Sequence, residues 1–109
     1  MELLTKEVLE KLPEFGETGE LTSEQIDVPV KYFHLALQWR WYVYEYDRER
    51  KIFFGFANLN NENFAELGTV SLESLEKIDK FGFRVERDIH WETMKLSDVI
   101  EKVKAGEHL

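Results

Sequence analysis

Apolar positions recur at helical spacing near the start of the chain, at Leu4, Val8, Leu9 and Leu12, behind a Thr5 suited to cap a helix N-terminus. Pro13 ends that helix, because its ring clashes with a continuing turn and biases Leu12 away from the α region. The period then changes to two. Residues 28–33 read as a strand with Pro29 near its start, where a missing N–H is tolerated. Residues 39–46 alternate most clearly, with Trp39, Trp41 and Val43 on one face and Arg40, Tyr42, Tyr44 and Tyr46 on the other. A polar connection of hairpin length, 47–50, leads to a returning strand over 51–59. There Ile52, Phe54 and Phe56 oppose Phe53, Gly55 and Ala57, and apolar residues on both sides predict a central strand covered on both faces.

Residues 58–63 form an Asn-rich loop, and 66–70 a short strand with Gly68 as a bulge. Ser71 caps a helix over 72–78 that buries Leu72, Leu75 and Ile78. Over 83–91, Phe83, Val85, Arg87, Ile89 and Trp91 alternate with Arg84, Glu86, Asp88 and His90, which predicts a further strand. A last helix over 97–105 stops at Gly106. The order predicts an α+β fold: a single antiparallel sheet of about four to five strands, with short helices at the N-terminus, before the last strand and at the C-terminus. Trp39, Trp41, Phe54 and Phe56 are its expected core.

Composition sharpens this picture without naming a function. The chain has 109 residues, which suits one domain over 1–109 with one core. Aromatics make up 14% of it, so a few large side chains can carry that core. There is no Cys, which excludes disulfides, thiolate metal sites and cysteine catalysis. With no basic n-region or apolar h-region after Met1, and no apolar stretch near membrane-spanning length, a cytoplasmic protein with no membrane partner is expected.

The net charge of −8 is unevenly placed. Residues 1–27 hold eight acids against two bases, and residues 28–109 hold fourteen against twelve, giving −6 and −2. Residues 16–27 form an acidic loop with two glycines and no apolar period, and a loop this long in a compact domain is mobile or functional. Its field repels nucleic acid and favours basic partners, so no direct nucleic-acid binding is expected.

Three constellations bear on chemistry. Glu86, Asp88 and His90 share one face of the predicted last strand, and two carboxylates with an imidazole could serve acid–base chemistry or make a weak metal site. The plainer reading is a solvated face pairing with Arg84 or Arg40, as such charges are more often structural than catalytic. Arg40, Tyr42, Tyr44 and Tyr46 make a stripe of residue types that dominate interface hot spots, although strands favour aromatics anyway and a covering helix would bury them. Glu14, Glu17, Glu20, Glu24 and Asp27 form an acidic run that is a solvated loop or a surface imitating nucleic-acid charge. His34 and His108 have no partner at ligand spacing, so no metal and no cofactor are expected. No phosphate loop and no nucleophile motif is present.

Three segments in order carry a family resemblance: Leu4-Thr5 through Leu12-Pro13; Trp39-x-Trp41-Tyr42 with Phe53-Phe54-Gly55-Phe56; and Glu66 through Leu72 with Val85-Glu86-Arg87-Asp88. Together they resemble the bacterial family catalogued as domain of unknown function 2958, from about Leu4 to about Ser97. The chain departs from its usual pattern at Thr69-Val70, where an aromatic pair is typical, and at Arg84, where Pro is common. The resemblance implies a small protein carried by plasmids, phages and integrated elements, and it transfers no catalytic residue. The leading expectation is therefore a non-enzymatic binding module acting on a host or phage protein, in its sharp form a counter-defence inhibitor. A self-associating homodimer ranks second, and a small enzyme using Glu86, Asp88 and His90 third.

Overall fold

The computed structural model describes all of residues 1–109. Its first helix, α1 (Lys6–Lys11), is set by its neighbours: Thr5 Oγ1 accepts the Val8 N–H at 3.2 Å, and Leu12 before Pro13 is already extended. The strands are β1 (Asp27–Val28), β2 (Val30–His34), β3 (Trp39–Asp47), β4 (Ile52–Leu59), β5 (Glu66–Ser71), β6 (Asp79–Lys80), β7 (Phe83–Arg84), β8 (Glu86–Arg87) and β9 (Met94–Lys95). Helices α2 (Leu72–Lys77) and α3 (Leu96–Lys104) complete the α+β fold. Five strands form one antiparallel sheet in the order β5-β4-β3-β2-β8, while β1 pairs with β9 and β6 with β7 as two-stranded ribbons. No helix is long and apolar enough to cross a membrane.

Both faces of the sheet are covered, as the apolar residues on both sides of β4 predict. On one face Trp41, Val43, Tyr46, Tyr32 and Phe53 pack with Leu3, Val8 and Leu12 around α1 and with Leu75 of α2. On the other, Tyr42 and Phe56 pack with Ile26, Val28 and Ala65 and with Leu96, Val99 and Val103 of α3. Each such side chain contributes on the order of 1.5–3 kcal/mol by leaving water, so both layers matter to a domain this small. Phe53, not Phe54, is the fully buried partner of Trp41; Phe54 and Trp39 are half-buried, and Phe54 stacks on Phe15 at 5.1 Å.

The largest departure from simple alternation is in β3. The β3–β4 register shifts between Val43 and Glu45, a bulge at Tyr44 that exchanges the faces of the next two residues. Tyr46 therefore leaves the Tyr42 face and enters the Trp41 core, 4.7 Å from Phe53, while Glu45 turns to the opposite side. Across from the bulge lies Gly55, where a Cβ would stand 2.4 Å from the Tyr42 carbonyl oxygen. Gly68 is not a bulge; it pairs with Gly55 in an unbroken β4–β5 register.

Two predicted strands are divided. Pro29 separates β1 from β2, and the two parts pair with different strands, β9 and β3. The strand expected over 83–91 splits into β7 and β8 and then turns, because Asp88 Oδ1 accepts the His90 N–H at 2.9 Å and Asp88 O accepts the Trp91 N–H at 3.2 Å. In the Asn-rich loop, side-chain carbonyls of Asn58 and Asn61 accept the N–H groups of Asn61 and Asn63, building a 3₁₀ turn at Glu62–Phe64.

Candidate functional site

The Arg/Tyr stripe does not form one open surface. Tyr42 is fully buried beneath α3, its ring 5.6 Å from Trp91 and its hydroxyl donating to Leu109 O at 2.9 Å. Burial pushes that hydroxyl up to about 12. Tyr44 is half-buried against the same layer, and burial raises its hydroxyl too. The bulge carries Tyr46 through to the other core. Arg40 alone of the four lines an open hollow, about 190 Å³, with Lys31, Phe33, Gln38 and His108. Lys31 is ion-paired with Asp88 at 3.4 Å, and burial lowers its ammonium despite that carboxylate.

The acidic segment is folded onto the end of the sheet around one buried carboxylate. Glu45, turned by the bulge and 5% exposed, accepts the Gly16 and Thr18 N–H groups at 3.0 Å each and the Thr18 hydroxyl. Successive tight turns then close from Glu14 O to Glu17 N, Gly16 O to Gly19 N and Thr18 O to Leu21 N, and at the end of the segment Ile26 is buried in the α3 core. Glu14 is drawn into the scaffold: the Arg48 N–H and guanidinium hold its carboxyl below the usual range. The same guanidinium donates to Leu9 O at 3.0 Å, satisfying a carbonyl near the end of α1. Glu17, Glu20 and Glu24 are left exposed. Glu45 was hidden from sequence reading inside the aromatic strand, and its one signal is a lone acid among aromatics.

The three residues considered for acid–base chemistry do not share a face, because β8 ends at Arg87 and the chain turns. Asp88 is occupied by the Lys31 ammonium and the His90 N–H, and it lines a cleft of about 210 Å³ with Thr5, Lys11 and Arg87. Neither Glu86 nor His90 lines that cleft. No group of three or more His, Asp or Glu side chains gathers as a metal would need. His34 is fully buried and structural: Nδ1 accepts the Leu37 N–H and Nε2 donates to Phe83 O, both at 3.0 Å, tying the β2–β3 turn to β7.

A feature that sequence reading missed is a trough of about 130 Å³ beside β5. Trp41, Val43, Gly55, Ala57, Gly68 and Val70 line it, and the two glycines lie opposite each other. It is open because Gly68 carries no side chain to fill it, whereas a Cβ on Gly55 would meet the β3 backbone. Pairing between strands distant in sequence, not a motif, creates it.

The family model for proteins of unknown function, DUF2958, matches residues 3–108, nearly the whole chain. No curated protein and no solved structure matches it.

Proposed function

The chain belongs to the DUF2958 family, and on that footing we propose that it is a non-enzymatic protein-binding module whose acidic N-terminal quarter captures a basic, nucleic-acid-binding partner. The supporting observation is the built character of that acidic segment. A carboxylate held under the loop by two backbone N–H groups and a hydroxyl anchors Gly16 and Thr18, while Glu17, Glu20 and Glu24 point to solvent. Carboxylates on an anchored backbone lose less conformational freedom on binding than those on an unanchored coil, and their field attracts cationic surfaces at long range. The resemblance to proteins of plasmids, phages and integrated elements makes a host or phage factor the natural partner, and a counter-defence inhibitor of a nucleic-acid-binding enzyme the sharpest form of the reading.

Capture from host lysate by the wild-type protein and by the triple variant Glu17→Gln, Glu20→Gln, Glu24→Gln tests it. The reading expects captured proteins to bind nucleic acid, to be released by excess duplex DNA, and to be lost with the variant. Identical capture by the variant overturns it.

A further inference from the structure

The two edges of the five-stranded sheet are built differently. β8 has two residues, and the N-terminus closes over it: the Arg87 N–H reaches Met1 Sδ at 3.1 Å and the Arg87 guanidinium donates to Glu2 O at 2.7 Å. β5 has six residues and pairs on one side only, with β4. Edges of that length are ordinarily guarded by Lys, Pro, an inward charge or a bulge, since unpaired N–H and C=O groups template another strand. β5 lacks these guards. Its one charge is Glu66 at the start, it contains no Pro, and its register with β4 runs unbroken from Ala57↔Glu66 to Ile52↔Ser71. Glu66, Leu67, Gly68 and Thr69 are exposed, and the Gly55–Gly68 trough runs alongside.

Charge selects the occupant. Residues 52–76, which include β4, β5 and most of α2, carry Glu62, Glu66, Glu73 and Glu76 and no Lys or Arg; Glu73 is paired with Lys77 at 2.6 Å, which leaves Glu62, Glu66 and Glu76 as the uncompensated charge. The Lys104 ammonium near the start of β5 is already held by Ala65 O at 2.7 Å. We propose that β5 is a strand-addition site for an extended, Lys- or Arg-bearing segment of a partner protein. Main-chain hydrogen bonds to β5 supply the attachment, small apolar side chains at alternate positions enter the trough, and basic side chains meet the flanking carboxylates. A second copy fits less well, because it would bring two chains of net charge −8 edge to edge. The inference rests on β5 and not on the acidic segment, so either reading can fail alone.

The probe is a short synthetic peptide alternating Lys with Val and Thr, with a Glu-for-Lys counterpart as control, added to isotope-labelled protein. The expected result is amide shifts and slowed hydrogen exchange confined to β5 and its neighbours, with binding weakened at least roughly tenfold by the double variant Glu66→Lys, Thr69→Lys. The triple Gln variant of the acidic segment leaves that binding within about twofold, since its carboxylates lie outside the edge and long-range steering is screened by salt. Four outcomes overturn the proposal: no perturbation of β5 by the Lys peptide, perturbation confined to residues 16–27, equal binding of the Glu peptide, or protection of β5 that grows with protein concentration alone.

Discussion

Strand β4 is flanked by two neighbours that treat it in opposite ways. On the β3 side the backbones press together: the bulge at Tyr44 brings the Tyr42 carbonyl to where a Cβ of Gly55 would stand, and Glu45 and Tyr46 exchange faces. On the β5 side Gly68 has nothing within 4 Å of a Cβ position, the register is unbroken, and four consecutive residues are exposed. Both flanks use glycine, but one glycine is required by contact and the other leaves a surface unfilled. The β3 flank therefore serves folding, and the β5 flank is free to serve recognition.

Gly55→Ala should separate the two flanks most sharply. The new methyl group meets backbone atoms, which cannot rotate away as a side chain would, so β3 and β4 must part or the bulge must move. A destabilisation of about 3 kcal/mol is expected, the upper part of the range for overpacked sites. Urea unfolding of the variant checks it, and a loss below about 1 kcal/mol would show that the bulge yields.

Glu45→Ala comes next. It removes the acceptor for two backbone N–H groups and a hydroxyl, and leaving buried donors unpaired costs on the order of 2 kcal/mol. The expected signature is lower stability together with faster hydrogen exchange at Gly16 and Thr18, since the bulge that places Glu45 also anchors the acidic segment. Glu45→Gln keeps one acceptor oxygen and should lose less. If exchange at Gly16 and Thr18 is unchanged in Glu45→Ala, other contacts hold that segment.

Much of the fold follows from periodicity that survives in three dimensions. The α1 cap at Thr5, the stop at Pro13, the central position of β4 and the Ser71 cap of α2 all depend on neighbours close in sequence. What periodicity missed shares a different cause. The bulge shifts the alternation of β3 by one residue, so Tyr46 lies on the face opposite to the one simple alternation predicts, and no local pattern marks Glu45 as a buried anchor. The change of partner after Pro29 and the pairing of β8 with β2 likewise depend on chain segments far away in sequence, whereas β7 folds back on β6 across a tight local turn that interrupts the expected alternation. Of the candidate site residues, the exposed carboxylates Glu17, Glu20 and Glu24 were legible from composition, whereas the β5 trough depends on Gly55 meeting Gly68.

A smaller effect tests how closely α3 seals the Tyr42 face. Burial raises the Tyr42 hydroxyl to about 12 from its ordinary value of 10.0, so the folded state keeps its proton where the unfolded state loses it. That contribution to stability is complete below the unfolded value, declines as pH rises past it, and is exhausted above the folded one. Tyr42→Phe should cost about 1 kcal/mol at neutral pH by removing the hydrogen bond to Leu109 O, and it should flatten the alkaline fall in stability. Tyr32, whose hydroxyl donates to Leu3 O at 2.6 Å and is also raised by burial, still titrates in that variant, so the alkaline fall is reduced and not abolished.

The smallest expected effect is the most discriminating. Gly68→Ala places a methyl group in open space at a position without positive φ, so it introduces neither clash nor strain. Restricting the unfolded chain favours the variant, and stability should change by less than about 0.5 kcal/mol or rise slightly. The same methyl group enters the trough opposite Gly55, where an added strand would lay its side chains. Unfolding measurements and binding of the Lys-bearing peptide therefore separate in this one variant: stability is kept while peptide affinity falls. A variant that loses stability as Gly55→Ala does would make the two flanks equivalent. One that keeps both stability and full peptide affinity would leave the trough without a part in recognition.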